Sequence, residues 1–421
     1  MKIIIFISAI TVIHSQLQVF NPRFRRQQES SATLWPNGIV YYYFDEGAAS
    51  QDEDFKDYTR DAMNLISEVS CIQFVEDDSK HHVLRIIREK ECSSEVGMSQ
   101  SGKQIVHLSP DCHEMEAVHE FFHVLGFMHT HQRSDRDEYV TVHLNNVEKD
   151  EKEQLTVYKK SEWKDIGIPY DFGSIMHYGS KFFSSNDKHT IVPVNEDYLQ
   201  TIGSRKMSYY DIKMVNDVYE CDAKCKGKNR GCQNYGFPNP NDCEECICPH
   251  GYGGSTCEDR SNDGCGATFS AGPEWARQVL ITNFNDEQIF DRPHYCNYWI
   301  EAPEGTKVEV KIMQLDNFTC AEGCDSNFIE IKTDLDPRES YPRFCCFDEL
   351  DTNNVIDSVN PTVIVMANMK TFHTYAHVEY RYVDTEEETT TEAAEEETTV
   401  VEEEIATEEP EEQFRRSSGR S

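Results

Sequence analysis

The residues best able to do chemistry lie in one run, His119-Glu120-Phe121-Phe122-His123-Val124-Leu125-Gly126-Phe127-Met128-His129. On a helix His119 and His123 are four residues apart, so their imidazoles project from one face and can bind one metal ion. Gly126 admits a left-handed turn that ends the helix and returns the chain, which lets His129 supply a third nitrogen. Three neutral imidazoles with an open fourth position describe a catalytic rather than a structural Zn2+ site, one ion per domain. Glu120 adjoins the first ligand and can reach a zinc-bound water, take its proton and later deliver it to a leaving amine. A bare His-Glu-x-x-His recurs by chance roughly once per 8,000 starts. Adding Gly126 and His129 lengthens those odds by roughly 400.

This run needs rigid elements around it. Turn residues Trp35-Pro36-Asn37-Gly38 lead into Ile39–Phe44, whose β-branched and aromatic content predicts a strand. Residues 52–69 place Phe55, Tyr58, Ala62, Met63, Leu65 and Ile66 at the spacing of an amphipathic helix. Segments 72–75, 83–87 and 105–108 read as strands, so strands precede the motif. Beyond it the chain is more helical or irregular until Ser208, where a helix opens and runs to about Tyr219, with Asp211 placed for a capping box. Cys221 closes this unit, which spans 27–221.

The 421 residues carry 40 Lys plus Arg against 76 Asp plus Glu, a net charge of −36 that excludes nucleic acid as the main partner. Residues 384–421 hold 15 acidic residues and three Arg, a third of that charge, and this Glu/Thr-rich tail is expected to stay disordered. Twelve of the 16 cysteines crowd between Cys225 and Cys346, which points to an oxidising compartment and up to eight disulfides. Met1-Lys2, the apolar run 3–13 and small Ser15 predict a signal peptide over 1–15 and hence a secreted, extracellular protein. No later segment reaches about 18 apolar residues, so no transmembrane anchor is expected. Residues 16–26 end in Arg23-Phe24-Arg25-Arg26 and read as a short pro-segment cut after Arg26.

The zinc run, followed some fifty residues later by Ser174-Ile175-Met176-His177-Tyr178, resembles the astacin family of metzincin endopeptidases. Further matches are Leu34-Trp35-Pro36-Asn37-Gly38, Arg133-Ser134-Asp135-Arg136-Asp137 and Tyr170-Asp171-Phe172. The resemblance implies an α+β metzincin catalytic domain over 27–221 with zinc in the cleft between two subdomains. It implies that Met176 forms the Met-turn, an apolar floor beneath the histidines. It also implies that Tyr178 is an additional zinc ligand that swings away to hydrogen-bond the tetrahedral oxyanion, where a donor lowers the barrier. Cys71–Cys221 and Cys92–Cys112 pairings follow from the same resemblance. Two departures stand out. The family usually has Glu after the third histidine, linked to the buried mature N-terminus, and Thr130 stands there; a cyclised, pyroglutamyl Gln27 with no ammonium to balance is the expectation. The family also typically caps its zinc with a propeptide Asp, and residues 16–26 contain no Asp, Glu or Cys.

Six cysteines over 222–258 are similar to those of an EGF-like module, which implies pairs Cys225–Cys243, Cys232–Cys246 and Cys248–Cys257. So short a segment depends on disulfides for its stability, and a spacer role is expected. Asp222-Ala223-Lys224 lacks the acidic residues of a calcium-binding member. Over 265–383, short strand-like runs at 298–300, 307–312 and 362–366 predict a β-sandwich. Its cysteines, with Asn297-Tyr298-Trp299-Ile300, resemble a CUB domain, which implies Cys265–Cys296 and leaves Cys320, Cys324, Cys345 and Cys346 open. Asn327 stands where calcium-binding CUB domains have Asp. Asn317-Phe318-Thr319 is a glycosylation acceptor. The order of modules and the adjacent Cys345-Cys346 look most like nematode astacins.

The resulting functional expectation is a secreted zinc endopeptidase acting on extended polypeptide segments of matrix, cuticle or egg-coat proteins, with the CUB domain as a module for protein partners. The competing readings are a catalytically silent extracellular binding protein that works through its CUB and EGF-like modules, and a matrix protein whose acidic tail binds calcium or basic partners.

Overall fold

A computed structural model describes residues 28–29, 31–47, 52–159, 161, 163–164, 166–228, 231–281, 294–334, 336–369 and 374–385. The expected signal peptide, pro-segment, Arg26 cleavage point, Gln27 and all of the acidic tail past Thr385 lie outside the described residues. As far as Asp384 the described chain belongs to one unit.

Its N-terminal part is built on a five-stranded sheet in the order Gln73–Glu76, Ile39–Phe44, Val83–Arg88, Lys103–Leu108, Ser93–Ser94. The first four strands are parallel and the short last one is antiparallel. Parallel neighbours need crossover connections, and helix α1, Glu53–Glu68, lies on one of them. Asp52 caps α1 by accepting from Asp54 N, so the helix begins one residue inside the apolar pattern of 52–69. Val40, Leu84, Ile86, Val106 and Leu108 from the strands share a core with Phe55, Ala62, Met63 and Ile66 of α1 and with Ala117, Val118, Phe121 and Phe122 of α2, Glu114–Val124. The chain after α2 runs in short 3-10 turns and a two-stranded sheet, Val140–Val142 with Ile191–Pro193. It ends in α3, Tyr209–Val218, where Ser208 and Asp211 form the expected capping box.

Cys71 is bonded to Cys221 and Cys92 to Cys112. In the next segment Cys225 pairs with Cys243, Cys232 with Cys246 and Cys248 with Cys257, around the hairpin Phe237–Asn239 and Asp242–Ile247. Asn241 at the tip of that hairpin donates to the carbonyls of Ser67, Glu68 and Ser70 at 2.7 to 3.1 Å, at the C-terminal end of α1. The C-terminal part has a five-stranded and a four-stranded sheet that share a core of Leu280, Ile300, Val308, Val310, Ile329, Val365 and Val378. Its last strand, Tyr375–Asp384, continues one residue beyond the expected edge at 383. Cys265 pairs with Cys296, and the four cysteines left open by sequence join as Cys320–Cys346 and Cys324–Cys345. Asn327 is fully buried and its Oδ1 accepts from Thr319 N at 2.9 Å, a bond internal to the domain. Asn317 is exposed, with φ of 62°.

Candidate active site and metal centre

Helix α2 carries the first two histidines and is fixed at both ends. Glu116 accepts from the His113 N–H at 3.1 Å at the start. At the other end the Trp35 indole donates to Val124 O at 3.0 Å and the Tyr219 hydroxyl to Leu125 O at 3.1 Å, satisfying carbonyls that the helix itself cannot. Gly126 follows with φ of +100°, and a Cβ there would lie 3.3 Å from Ala32 Cβ, so both conformation and space favour glycine. The turn it makes returns His129 to the helix. His129 Nε2 lies 3.2 Å from His119 Nε2 and 3.0 Å from His123 Nε2.

The outer nitrogens fix the tautomers. His119 Nδ1 lies 2.7 Å from Ile175 O, His123 Nδ1 2.8 Å from Phe127 O and His129 Nδ1 3.0 Å from Gln132 Oε1. Each acceptor claims a proton on Nδ1, which leaves the three Nε2 lone pairs facing one point. Burial pushes His123 down to about 3 and His129 well below the ordinary imidazole value, so both stay neutral, as metal ligands must be. The two Nε2 separations from His129 are close to the roughly 3.3 Å edge of a tetrahedron with Zn–N bonds of about 2.05 Å, and all three ligand atoms lie within 4.8 Å of one another. The donor set therefore fits zinc, and among the described residues it is the one cluster of three or more His, Cys, Asp or Glu with ligand atoms close enough to share a metal.

Glu120 is 5% exposed, and burial raises its pKa. The Ser94 hydroxyl lies 2.8 Å from Glu120 Oε2 and 2.9 Å from Glu120 O, so the edge strand of the sheet holds this carboxylate beside the histidines. Sequence reasoning missed Ser94: a lone serine in Ser93-Ser94 carries no spacing signal. It also missed Gln132, and it read Asp211 only as a cap.

Asp211 organises the expected Met-turn. Its carboxylate accepts from Ser174 Oγ at 2.6 Å and Ile175 N at 2.8 Å, while the Ile175 carbonyl holds His119. Met176 is fully buried and its carbonyl accepts from Thr130 N at 2.8 Å, tying the third-histidine segment to this turn. Three donors converge on Asp211; burial nevertheless raises both it and the neighbouring Asp171 carboxyl, Asp211 to about 7. The Tyr178 ring stands 4.3 Å from that of His129, stacks on His131 at 4.1 Å and on Phe182 at 4.5 Å. Burial, and then the negative charge of Glu120, push its phenol pKa up, so it remains a hydrogen-bond donor. Arg133 is fully buried, paired with Asp135 and donating to Ile168 O and Pro169 O, and Arg136 donates to His131 O. The basic residues of 133–137 thus brace the loop behind His129.

Residues 27–220 match the family model of the astacin peptidases. Zinc metalloproteinase nas-25 of Caenorhabditis elegans is 33% identical over 88% of this chain and 93% of its own length. The chain belongs to the astacin family. Zinc metalloproteinase nas-32 of the same organism is 34% identical over 89% of this chain, and this astacin spans 57% of that relative's length. Among solved structures, high choriolytic enzyme 1, a hatching enzyme zinc-protease from Oryzias latipes, aligns at 27% identity and a TM-score of 0.41, covering 45% of this astacin and 94% of that chain. No helix among the described residues is long and apolar enough to cross a membrane.

Proposed function

We propose that this astacin is a secreted zinc-dependent endopeptidase that hydrolyses peptide bonds in extended segments of extracellular proteins. The observation that carries it is the convergence of three Nε2 atoms whose Nδ1 protons are already committed, with a buried carboxylate beside them. Zinc held by His119, His123 and His129 would supply Lewis-acid polarisation of water and of the scissile carbonyl. Glu120 takes the proton of the attacking water and returns it to the leaving amine, and its raised pKa suits a group that must do both. Ser94 orients that carboxylate. Tyr178, held protonated, donates to the developing oxyanion. Substrate lies extended beside the Ser93–Ser94 edge.

In this reading 27–221 is the catalytic domain, 222–258 an EGF-like spacer and 265–383 a CUB domain that binds protein partners. Eight disulfides among the described residues support an oxidising, extracellular setting. The test is cleavage of denatured casein or gelatin by protein cut after Arg26, with and without a zinc chelator, alongside Glu120→Ala. Loss of cleavage under both treatments is expected. Stoichiometric zinc without any cleavage would overturn it in favour of a silent binding protein.

A further inference from the structure

The C-terminal sandwich touches the catalytic part at the residues that follow Tyr178. Glu322 Oε1 accepts from the Ser180 hydroxyl at 2.6 Å and from Lys181 N at 2.5 Å. Gly179, between Tyr178 and this contact, leaves no room for a side chain: a Cβ there would lie 2.5 Å from Glu322 Cδ. A Cβ on Gly323, which has φ of +72°, would lie 2.2 Å from Gly203 O, and one on Gly203 would lie 2.7 Å from Gly179 Cα. Three glycines thus let three backbone segments, two catalytic and one from the sandwich, close to within contact.

The loop bearing Glu322 is stapled on both sides. Cys320 and Cys324 bracket it and bond to the adjacent Cys346 and Cys345. The N–H groups of Cys345 and Cys346 donate to Gln200 Oε1 of the catalytic part at 3.0 and 3.3 Å. Arg343 N donates to Thr201 Oγ1 and its guanidinium to Ser204 Oγ, both from inside the sandwich. At the other side of the loop Asp325 pairs with Arg205, which also pairs with Glu116 in the first turn of α2. One disulfide-clamped loop therefore meets the Tyr178 segment directly and is linked through Arg205 to the start of the zinc-binding helix.

We infer that Glu322 is a positioning residue for hydrolysis: the loop clamped by Cys320–Cys346 and Cys324–Cys345 anchors the 179–181 backbone and so holds Tyr178 where its phenol meets the oxyanion. This rests on the endopeptidase reading above. The sandwich is then part of the catalytic apparatus as well as an appended binding module. The double cysteine has a physical purpose here, because a loop presenting one carboxylate at a fixed point loses little entropy on contact when two bridges have already ordered it.

The experiment compares Glu322→Ala and Glu322→Gln in the full activated chain, each with Tyr178 intact and with Tyr178→Phe. Glu322→Ala lowers kcat on a peptide substrate about 5- to 50-fold with KM within about twofold, for the loss of charge-assisted bonds to one acceptor. Glu322→Gln keeps an Oε1 acceptor and restores activity to within about threefold. In the Tyr178→Phe background Glu322→Ala changes kcat by less than about twofold, because the group it positions is gone. Hydrogen exchange over 178–184 rises in Glu322→Ala and not in Glu322→Gln, a readout that needs no turnover. Because Glu322 is exposed at the surface, its replacement leaves the cores intact. Unchanged kcat in Glu322→Ala, or an equal loss in both Tyr178 backgrounds, would overturn the inference. A wild-type chain that cleaves nothing would sink the endopeptidase reading instead, and exchange alone would then decide the anchoring: no rise in Glu322→Ala overturns it.

Discussion

Replacing Gln132 by Leu tests whether tautomer control sets zinc affinity. Gln132 is 3% exposed and its Oε1 receives His129 Nδ1 at 3.0 Å. Without metal, a His129 deprived of that acceptor can move its proton to Nε2, where His119 and His123 Nε2 lie 3.2 and 3.0 Å away as acceptors. Zinc binding must then return the proton to Nδ1, now facing apolar side chain. A buried donor left unpaired costs about 1–3 kcal/mol, so zinc affinity falls about 5- to 150-fold, which brackets the roughly 10- to 100-fold lost when outer hydrogen-bond partners of metal ligands are removed. At saturating zinc the metal's contribution to stability falls by the same amount. The assay is competition for zinc against a chromophoric chelator of known affinity, with Gln132→Glu as the control that keeps an acceptor. A Gln132→Leu protein that folds and binds zinc within twofold of wild type would refute the reasoning.

Ser94→Ala removes the hydroxyl that holds Glu120 Oε2 and is expected to lower kcat about 10- to 150-fold with zinc content unchanged, since hydrogen bonds to charged groups contribute about 1.5–3 kcal/mol; steady-state kinetics with metal analysis checks this. Asp211→Ala strips the shared acceptor from Ser174, Ile175 and Ser208, and three buried donors at about 1–3 kcal/mol each predict a loss above about 3 kcal/mol, read from the denaturation midpoint. Trp35→Phe leaves Val124 O without its indole partner and should cost about 1–3 kcal/mol, seen as a lower melting temperature. Asn241→Ala uncaps the end of α1; a loss of about 1 kcal/mol is expected, and an unchanged midpoint would show that the hairpin does not support the helix.

The histidine cluster was legible in the sequence because helical periodicity and one glycine are local rules: His119 and His123 share a face, and Gly126 turns the chain toward His129. The strands at Ile39–Phe44 and Val83–Arg88 and helices α1 and α3 were legible for the same reason, their side-chain periods and caps being written into neighbouring residues. Tertiary structure alone decided the partners of those residues. Ser94 reaches Glu120 across 26 positions, Asp211 reaches Ile175 across 36 and Ile175 O reaches His119 across 56. Glu322 meets Lys181 across 141 positions, and the pairing of four C-terminal cysteines left open by spacing became Cys320–Cys346 and Cys324–Cys345. A hydrogen bond or disulfide needs only that two groups end up close and aligned, and chain separation carries no record of that. The three histidines were therefore present in one short run, while the groups that fix their protons, the neighbouring carboxylate and the tyrosine were chosen by the fold.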